Sequence, residues 1–318
     1  MAALTALLAG GPQSSPAQGS GAPRRVGWLS YLGLPDVALE LLREGMRDLG
    51  QVEGKSYVIV PRYADNDFSR LPRLVEELLA ERLDLLVARG PSVDHAKAAR
   101  TRLPVVFAYS GDPVDAGFAD SLPRPGRNMT GITFMAMELS AKRVEVLKEL
   151  VPKAASIALL SNPEHAGELR EYRVTEDTAT RLGASTSRFL VRSASELTSA
   201  FGAIRASRPD AMIVFPDAFT YARRRDIAEF AAAARIPSMY GWTEFAEAGG
   251  LASYGPGLNE NFRTLAVFVD KILKGSDAGK LPIEQPRKIG LAFNPAAAQA
   301  LGLAVPPAIL LRADRIVR

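Results

Sequence analysis

Residues 83–109, LDLLVARGPSVDHAKAARTRLPVVFAY, place a helical pattern between two short apolar runs. The runs at 83–88 and 105–108 are rich in branched aliphatic side chains, which is typical of strands buried on both faces. Between them, residues 92–101 carry apolar side chains at about the spacing of one helix face. Leu103-Pro104 ends this helix, because the residue before a proline avoids the α conformation. The stretch therefore predicts one βα unit of a parallel sheet.

The same alternation repeats from residue 26 to about residue 274, so the sequence predicts an α/β fold with parallel sheets covered by helices. The other predicted strands lie at 26–29, 57–63, 156–160, 185–191 and 211–215, with shorter ones around Ser238 and Ala252. The other predicted helices lie at 36–49, 69–82, 139–150, 164–182, 195–206, 219–234 and 259–274.

Two interruptions rich in Gly and Pro, RPGRNMTGITF at 124–134 and GGLASYGPG at 249–257, break this alternation. We interpret them as hinge crossings between two doubly wound parallel-sheet lobes. A TIM barrel is disfavoured, because its units run evenly and it would leave the stretch beyond Gly275 unused. The predicted lobes are residues 26–130 with about 256–285, and residues 131–255 with about 286–318.

Composition excludes several classes of protein. The 318 residues include no cysteine, which rules out disulfides, thiolate metal sites and cysteine nucleophiles. Lys and Arg number 39 against 35 Asp and Glu, and the two signs are interspersed, so we expect no nucleic-acid partner. Residues 1–25 combine a short apolar run with Gly, Pro, Ser and Gln. We expect them to be disordered or a remnant of a secretory signal, with a low-complexity extension as the alternative.

Motifs for common catalytic and cofactor sites are missing from the sequence. No GxGxxG follows the first predicted strand, and neither GxxxxGK[ST] nor a GxSxG elbow occurs. The two histidines, His95 and His165, are far apart and belong to no metal-binding motif. We therefore expect no catalytic residue, no metal and no cofactor.

Polar, glycine-rich and aromatic residues instead follow the predicted strands. Because the carboxyl ends of parallel strands meet at one edge of a sheet, such residues converge on a ligand crevice. Helices predicted to begin at Ser92 and near Pro113 would direct N–H groups at a carboxylate, and Asp112 would accept from an ammonium. For each residue alone, a turn or cap is the alternative. The candidate ligand-binding residues are Ser30, Tyr31, Gly90, Pro91, Ser92, Tyr109, Ser110, Gly111, Asp112, Asn162, Pro216, Asp217, Tyr240, Trp242, Phe245 and Tyr254.

Five longer stretches carry a family resemblance. They are GDPVDAGFADSLPRPGRNMTGIT at 111–133, SAKRVEVLKELVP at 140–152, EAGGLASYGP at 247–256, VDKILKGSDAGKLPIEQP at 269–286 and ALGLAVPPAILLRADRIV at 300–317. From about Val26 to the C-terminus the chain resembles the ABC transporter substrate-binding proteins of the tryptophan/tyrosine-binding type. The resemblance implies a periplasmic-binding-protein type I fold, two α/β lobes joined by a hinge, no catalytic residues, and delivery of a small ligand to a membrane permease.

The chain departs from the family pattern at two points. Gly126-Arg127-Asn128 stands where the family usually has Gly-Gly-Asn, and arginine avoids left-handed conformations that glycine allows, so we expect a local difference in this turn. The cysteine that anchors lipoprotein members is also missing. We therefore expect a soluble periplasmic monomer without a lipid anchor.

The leading interpretation is an extracytoplasmic solute-binding protein of an ABC import system, which clamps an amino acid or related acid and works with an ABC permease. One alternative is a two-lobed isomerase or racemase of the Asp/Glu racemase kind, but that chemistry uses a cysteine pair. A second alternative is the effector-sensing part of a repressor. It would need a helix-turn-helix, which we do not expect residues 1–25 to form.

Overall fold

The computed structural model describes residues 22–134, 137–165 and 167–317. Most of the stretch 1–25 thus lies outside the described residues, although the first strand already begins at Arg24. The strands are β1 (Arg24–Ser30), β2 (Tyr57–Tyr63), β3 (Leu85–Arg89), β4 (Val105–Tyr109), β5 (Met129–Thr133), β6 (Ser156–Ser161), β7 (Ser185–Leu190), β8 (Ala211–Val214), β9 (Ser238–Tyr240), β10 (Ala252–Gly255), β11 (Gly290–Phe293) and β12 (Ala313–Ile316). The helices are α1 (Val37–Asp48), α2 (Leu71–Leu79), α3 (Ser92–Ala98), α4 (Ser140–Leu150), α5 (Glu168–Arg181), α6 (Ala194–Ser207), α7 (Ala218–Ala222), α8 (Arg224–Ala233), α9 (Thr243–Glu247), α10 (Leu258–Leu273), α11 (Pro295–Leu301) and α12 (Pro307–Arg312).

The first sheet has the order β2-β1-β3-β4-β5, and every neighbouring pair is parallel. Strands β3, β4 and β5 are buried along their whole length, as a sheet covered on both faces requires. The register pairs Ser30 at the end of β1 with Arg89 at the end of β3. The carboxyl ends of these strands therefore form one common edge.

The second sheet has the order β12-β11-β10-β9-β8-β6-β7 and is parallel except where β10 pairs with β11. The predicted α/β class with two parallel-dominated sheets is confirmed, and this antiparallel pair is a local difference. The chain reaches β11 from the first sheet instead of through a crossover helix of the second, so no βαβ unit fixes its direction. Strands β11 and β12 were not predicted, because each has four residues and β12 is mostly exposed.

The chain passes between the sheets at three places. It leaves the first sheet after β5 and returns after β10 to form α10, which packs against α1. It leaves again after Glu284, which forms a bridge with Ile132 of β5. We call β1–β5 with α1–α3 and α10 the first lobe, and the second sheet with the remaining helices the second lobe.

The predicted crossings at 124–134 and 249–257 each contain a strand that was not recognised at its full extent, and the chain changes sheets after that strand. Strand β5 occupies Met129–Thr133, and β10 occupies Ala252–Gly255. Gly131 was included in the sequence only as a glycine of the interruption at 124–134, but it lies within β5 at φ 149°, and a Cβ there would lie 2.0 Å from the Phe107 carbonyl oxygen. The glycine therefore permits a close approach between strands, not a turn.

Two helix predictions also change. The helix predicted at 219–234 is split, because α7 ends and α8 begins on either side of Arg223. No helix begins near Pro113, where residues 113–117 form turns. Gly117 is left-handed there, with φ 69°. The unpredicted helices α9, α11 and α12 have five to seven residues, too short for a clear periodic pattern.

The turn at Gly126-Arg127-Asn128 accommodates its arginine. Gly126 takes the left-handed conformation with φ 72°, whereas Arg127 does not have a positive φ. Arg127 instead directs its side chain to Asp120, with 3.1 Å between Nε and Oδ1. Within the described ranges, no helix is long and apolar enough to cross a bilayer.

Candidate functional site

A cavity of about 330 Å³ lies between the lobes, beyond the carboxyl ends of β1, β3 and β4. This is the usual position of a ligand crevice in an α/β sheet, and the volume suits one small organic molecule. The first lobe contributes Leu32, Gly33, Leu34, Pro35, Asp36, Asn66, Arg89, Gly90, Ser110, Asn259 and Phe262 to the wall, and the second contributes Ala218, Tyr221, Ala222, Arg224 and Trp242.

The charged part of the wall is a buried ion pair between Arg89 and Asp36. Arg89 Nη1 lies 2.9 Å from Asp36 Oδ1, and the indole Nε1 of Trp28 donates to Asp36 Oδ2 over 2.8 Å. Asp36 also caps α1 by accepting from the backbone N–H groups of Ala38 and Leu39. Four donors thus engage this carboxylate. Among the described residues, the one hydrogen bond of the Arg89 guanidinium is that from Nη1 to Asp36, so its other N–H groups remain available to a ligand.

Aromatic rings form much of the remaining wall. The Phe134 ring meets Trp242 edge to face at 6.1 Å and Phe262 at 6.0 Å, and Tyr221 meets Trp242 at 5.7 Å. The Arg89 guanidinium lies over the Phe262 ring, 5.4 Å from its centre. Trp242 is 4% exposed, and its Nε1–H has no hydrogen-bond partner among the described residues. This wall can hold a flat apolar group and still offer N–H donors.

Ser110 forms the polar edge of the cavity and connects the lobes. Its Oγ lies 2.5 Å from Nε2 of His165, which precedes α5 in the second lobe. Burial lowers the pKa of His165, although the charges of Asp217 and Glu168 oppose this effect. His165 is therefore neutral near pH 7 and brings no positive charge to the cleft.

The lobes touch at other points around the cavity. A Cβ built on Gly90 lies 3.5 Å from Cβ of Ala218, and Asp115 forms an ion pair with Arg170 of α5. The backbone N–H of Leu258, at the start of α10, donates to Glu244 Oε1 of α9 over 2.7 Å. The structure therefore has the lobes in contact around the cavity.

Three of the predicted site residues, Gly90, Ser110 and Trp242, line the cavity. Most of the predicted aromatic residues pack elsewhere in the core. Tyr31 packs on Phe68, with ring centres 4.2 Å apart; Tyr109 packs on Phe118 at 4.8 Å; and Tyr240 stacks on Phe245 at 4.7 Å. Since flat rings fill the core as well as a ligand site, residue type alone does not separate the two roles.

The other predicted residues lie beside the cavity or further away. Asp112 accepts from the N–H groups of Val114 at 2.8 Å and Asp115 at 3.2 Å, so it caps a turn, as its alternative reading proposed. The Gly111 carbonyl accepts from Thr133, and the Tyr254 carbonyl accepts from Arg143. Ser30, Pro91, Ser92, Asn162, Pro216 and Asp217 are buried in the segments next to the wall.

Sequence reasoning missed the main charged and aromatic groups of the cavity. Asp36 was included only as the first residue of a predicted helix. Arg89 lay between the apolar run at 83–88 and the candidate residue Gly90 and was not itself selected. Tyr221 and Phe262 lay inside predicted helices, and Phe134 inside an interruption. Whether Tyr221 of α7 and Phe262 of α10 point into the cleft depends on how these two helices meet across the lobes. No local sequence pattern contains this information. Among the described residues no cluster of metal-ligating side chains occurs.

Residues 36–317 match the family model for ABC transporter substrate binding proteins. The chain belongs to this family. The predicted resemblance is thereby confirmed. A tyrosine-binding protein of Clostridioides difficile (strain R20291) is 22% identical over 262 residues, covering 82% of this chain and 75% of that protein.

Solved structures agree on the fold of this family member. An ABC domain from Streptococcus pneumonia in complex with L-Trp superposes with a TM-score of 0.82 at 23% identity, covering 93% of this chain and 100% of the other. A conserved domain protein from Vibrio cholerae gives a TM-score of 0.83 at 25% identity, covering 92% and 99%. The family and the curated relative are binding proteins.

Proposed function

We propose that this protein is the extracytoplasmic solute-binding component of an ABC import system, and that it holds an aromatic amino acid or a related acid between its lobes. Family membership supports the transport role, and its similarity to a tyrosine-binding protein and to a domain in complex with L-Trp supports the ligand class. In this proposal the protein is periplasmic and delivers its ligand to a membrane permease, and the three chain crossings act as the hinge.

Arg89 is the observation that carries the proposal. Its side chain is 9% exposed and already neutralises Asp36, yet it retains N–H groups toward a cavity with aromatic walls. A guanidinium binds a carboxylate through parallel N–H donors. A ligand with a carboxylate at Arg89 and a flat body against Phe134, Trp242 and Phe262 satisfies both the charged and the apolar parts of the wall.

A ligand screen tests this proposal. L-Trp, L-Tyr and L-Phe should raise the melting temperature, whereas L-Lys should not, because the one described acid of the wall, Asp36, is already paired with Arg89. At about 100 times its dissociation constant a ligand should stabilise the fold by roughly 2.7 kcal/mol. Steady consumption of the ligand would contradict a binding role. An absence of any stabilising amino acid would contradict the ligand class.

The variant Arg89→Gln tests the carboxylate contact. Loss of a hydrogen bond to a charged group costs about 1.5–3 kcal/mol, so affinity for L-Trp should fall roughly 10-fold to 150-fold in titration calorimetry. Arg24→Gln is the matched control, because Arg24 is exposed and pairs with Asp84 far from the cavity. The melting curve of each free variant separates lost binding from the stability lost with the buried pair. Unchanged affinity in folded Arg89→Gln would remove Arg89 from the site.

A further inference from the structure

A second arginine, Arg224, lines the cavity on the side of the second lobe and is half-buried. Its guanidinium lies over the Tyr221 ring, 4.4 Å from the ring centre, and Nη1 donates to the Tyr221 carbonyl over 3.0 Å. Among the described residues this is the one hydrogen bond of the Arg224 side chain, and no described acid forms an ion pair with it. Arg224 therefore keeps N–H donors and an uncompensated positive charge at the cavity.

The acids on the neighbouring helices α8 and α9 do not explain this arginine. Three of them contact other partners: Asp226 lies 3.6 Å from Arg223, Glu247 lies 2.7 Å from Arg315, and Glu244 accepts from the N–H of Leu258. Arg224 is also the first residue of α8, where the helix dipole disfavours a cation. Neither an ion pair nor the stability of α8 accounts for a positive charge in this position.

The charges of the cavity wall do not balance. Within the described part of the chain, the charged residues of the wall are Asp36, Arg89 and Arg224. Asp36 compensates Arg89 at 2.9 Å, so the wall keeps a net positive charge at Arg224. A zwitterionic amino acid is neutral overall and leaves this charge uncompensated. A ligand with one further anionic group is complementary to the wall as a whole.

The two arginines lie at the ends of one row of aromatic rings. In this row each residue interacts with the next, in the order Arg89, Phe262, Phe134, Trp242, Tyr221 and Arg224. The first lobe supplies Arg89 and the second supplies Arg224. A flat ligand that lies along this row with its carboxylate at Arg89 directs the far side of its ring toward Arg224.

We propose that Arg224 is a specificity residue that binds an anionic group on the ring of the ligand, so that the site prefers aromatic amino acids or acids with a second carboxylate. This inference rests on the proposed function and narrows its ligand class. A guanidinium donates to a carboxylate through parallel N–H groups, and Arg224 has donors to spare. Because the two arginines belong to different lobes, such a ligand connects the lobes through a charged contact at each end.

Titration calorimetry with phenylalanines that differ only on the ring tests the inference. L-Phe has no ring substituent, whereas meta-carboxy-L-phenylalanine and para-carboxy-L-phenylalanine carry the second carboxylate at two positions. The wild-type protein should bind at least one carboxylated probe roughly 10-fold to 150-fold more tightly than L-Phe, the range for a hydrogen bond to a charged group. In Arg224→Gln this preference should disappear, and L-Phe should bind as in the wild type.

Two further variants complete the experiment. Arg225→Gln is the matched control, because Arg225 is the next residue of α8, is exposed and does not line the cavity. It should keep the wild-type preference. Arg224→Glu should fold, since an acid in the first turn of a helix is favourable. Its carboxylate repels that of the probes, so in this variant L-Phe should bind more tightly than either carboxylated probe.

Three results would overturn the inference. Equal wild-type affinities for L-Phe and both carboxylated probes would do so and leave the proposed function standing; this comparison needs no variant. A preference that persists in folded Arg224→Gln would place the second carboxylate at another residue. An equal loss in Arg224→Gln and Arg225→Gln would assign the preference to the net charge of the protein. If the wild-type protein binds neither these probes nor L-Trp and L-Tyr, the proposed function fails as well.

Discussion

At the scale of single residues, burial decides which charged groups matter, and the sequence reports burial poorly. Asp112 and Asp217 both follow a predicted strand and both precede a turn or helix, so they were equivalent candidates. In the structure Asp112 caps a turn, whereas Asp217 is 1% exposed with one oxygen unsatisfied. The local sequence pattern places both residues at strand ends, and only the tertiary packing around each residue distinguishes them.

Glu171 supplies a pH-dependent test at this scale. Burial raises its pKa to about 8, although Arg143 opposes this effect from 2.9 Å. The folded state therefore binds more protons at Glu171 than the unfolded state between about pH 4.5 and pH 8, so this contribution to stability is lost as pH rises. The amide of Glu171→Gln does not ionise. The melting temperature of this variant should therefore rise relative to that of the wild type as the pH is raised from 6 to 9. The matched change Glu176→Gln, on the same helix and outside this buried pair, should show no such trend.

If the difference in melting temperature between Glu171→Gln and the wild type stays constant across this pH range, Glu171 is ionised in the folded protein throughout the range.

At the scale of elements, long periodic segments were predictable and short ones were not. Strand β2 and helix α10 match their predicted positions closely because each has a long apolar pattern. Strands β11 and β12 have four residues each, and their position comes from pairing with distant parts of the chain. Strand β5 was missed because Gly131 resembles a turn signal in sequence, whereas its role is set by the neighbouring strand.

Two glycine substitutions test this distinction. Gly202 lies inside α6 with open space around it, so Gly202→Ala should raise the free energy of unfolding by about 0.5–1 kcal/mol. Gly131→Ala should lower it by at least about 1–3 kcal/mol, because its Cβ would overlap the Phe107 carbonyl. Urea unfolding of both variants measures the two changes. A stable Gly131→Ala protein would show that β4 and β5 can separate at little cost.

At the scale of the whole molecule, the contacts between lobes should govern closure. Arg170 and Asp115 form an exposed ion pair across the cleft, whereas Arg263 and Glu44 form one within the first lobe. Arg170→Glu places like charges opposite each other, so L-Trp affinity should fall by a factor of about 2–5, an effect that salt reduces. Small-angle scattering should show a smaller radius of gyration when L-Trp binds the wild type. Arg263→Glu should leave affinity and compaction unchanged.

If Arg170→Glu and Arg263→Glu lower the affinity for L-Trp equally, the change in net charge explains the loss, and the contact between the lobes does not. A radius of gyration that does not respond to bound L-Trp, in a free protein shown to be open, would argue for one rigid body.

The three chain crossings lie side by side, since Glu284 bridges to Ile132 and Phe262 touches Phe134. The first two crossings follow β5 and β10 and the third follows Glu284, so all three lie outside the strands, and rotation about them breaks no hydrogen bond between strands of either sheet. We therefore expect the cleft to open without unfolding of either sheet. We expect the residence time of the ligand to depend on the lobe interface, where one cluster of buried apolar side chains, which includes Phe134, Phe262 and Trp242, runs across both lobes. A variant such as Gly202→Ala, which strengthens one lobe from within, stabilises the protein and still releases its cargo at the same rate.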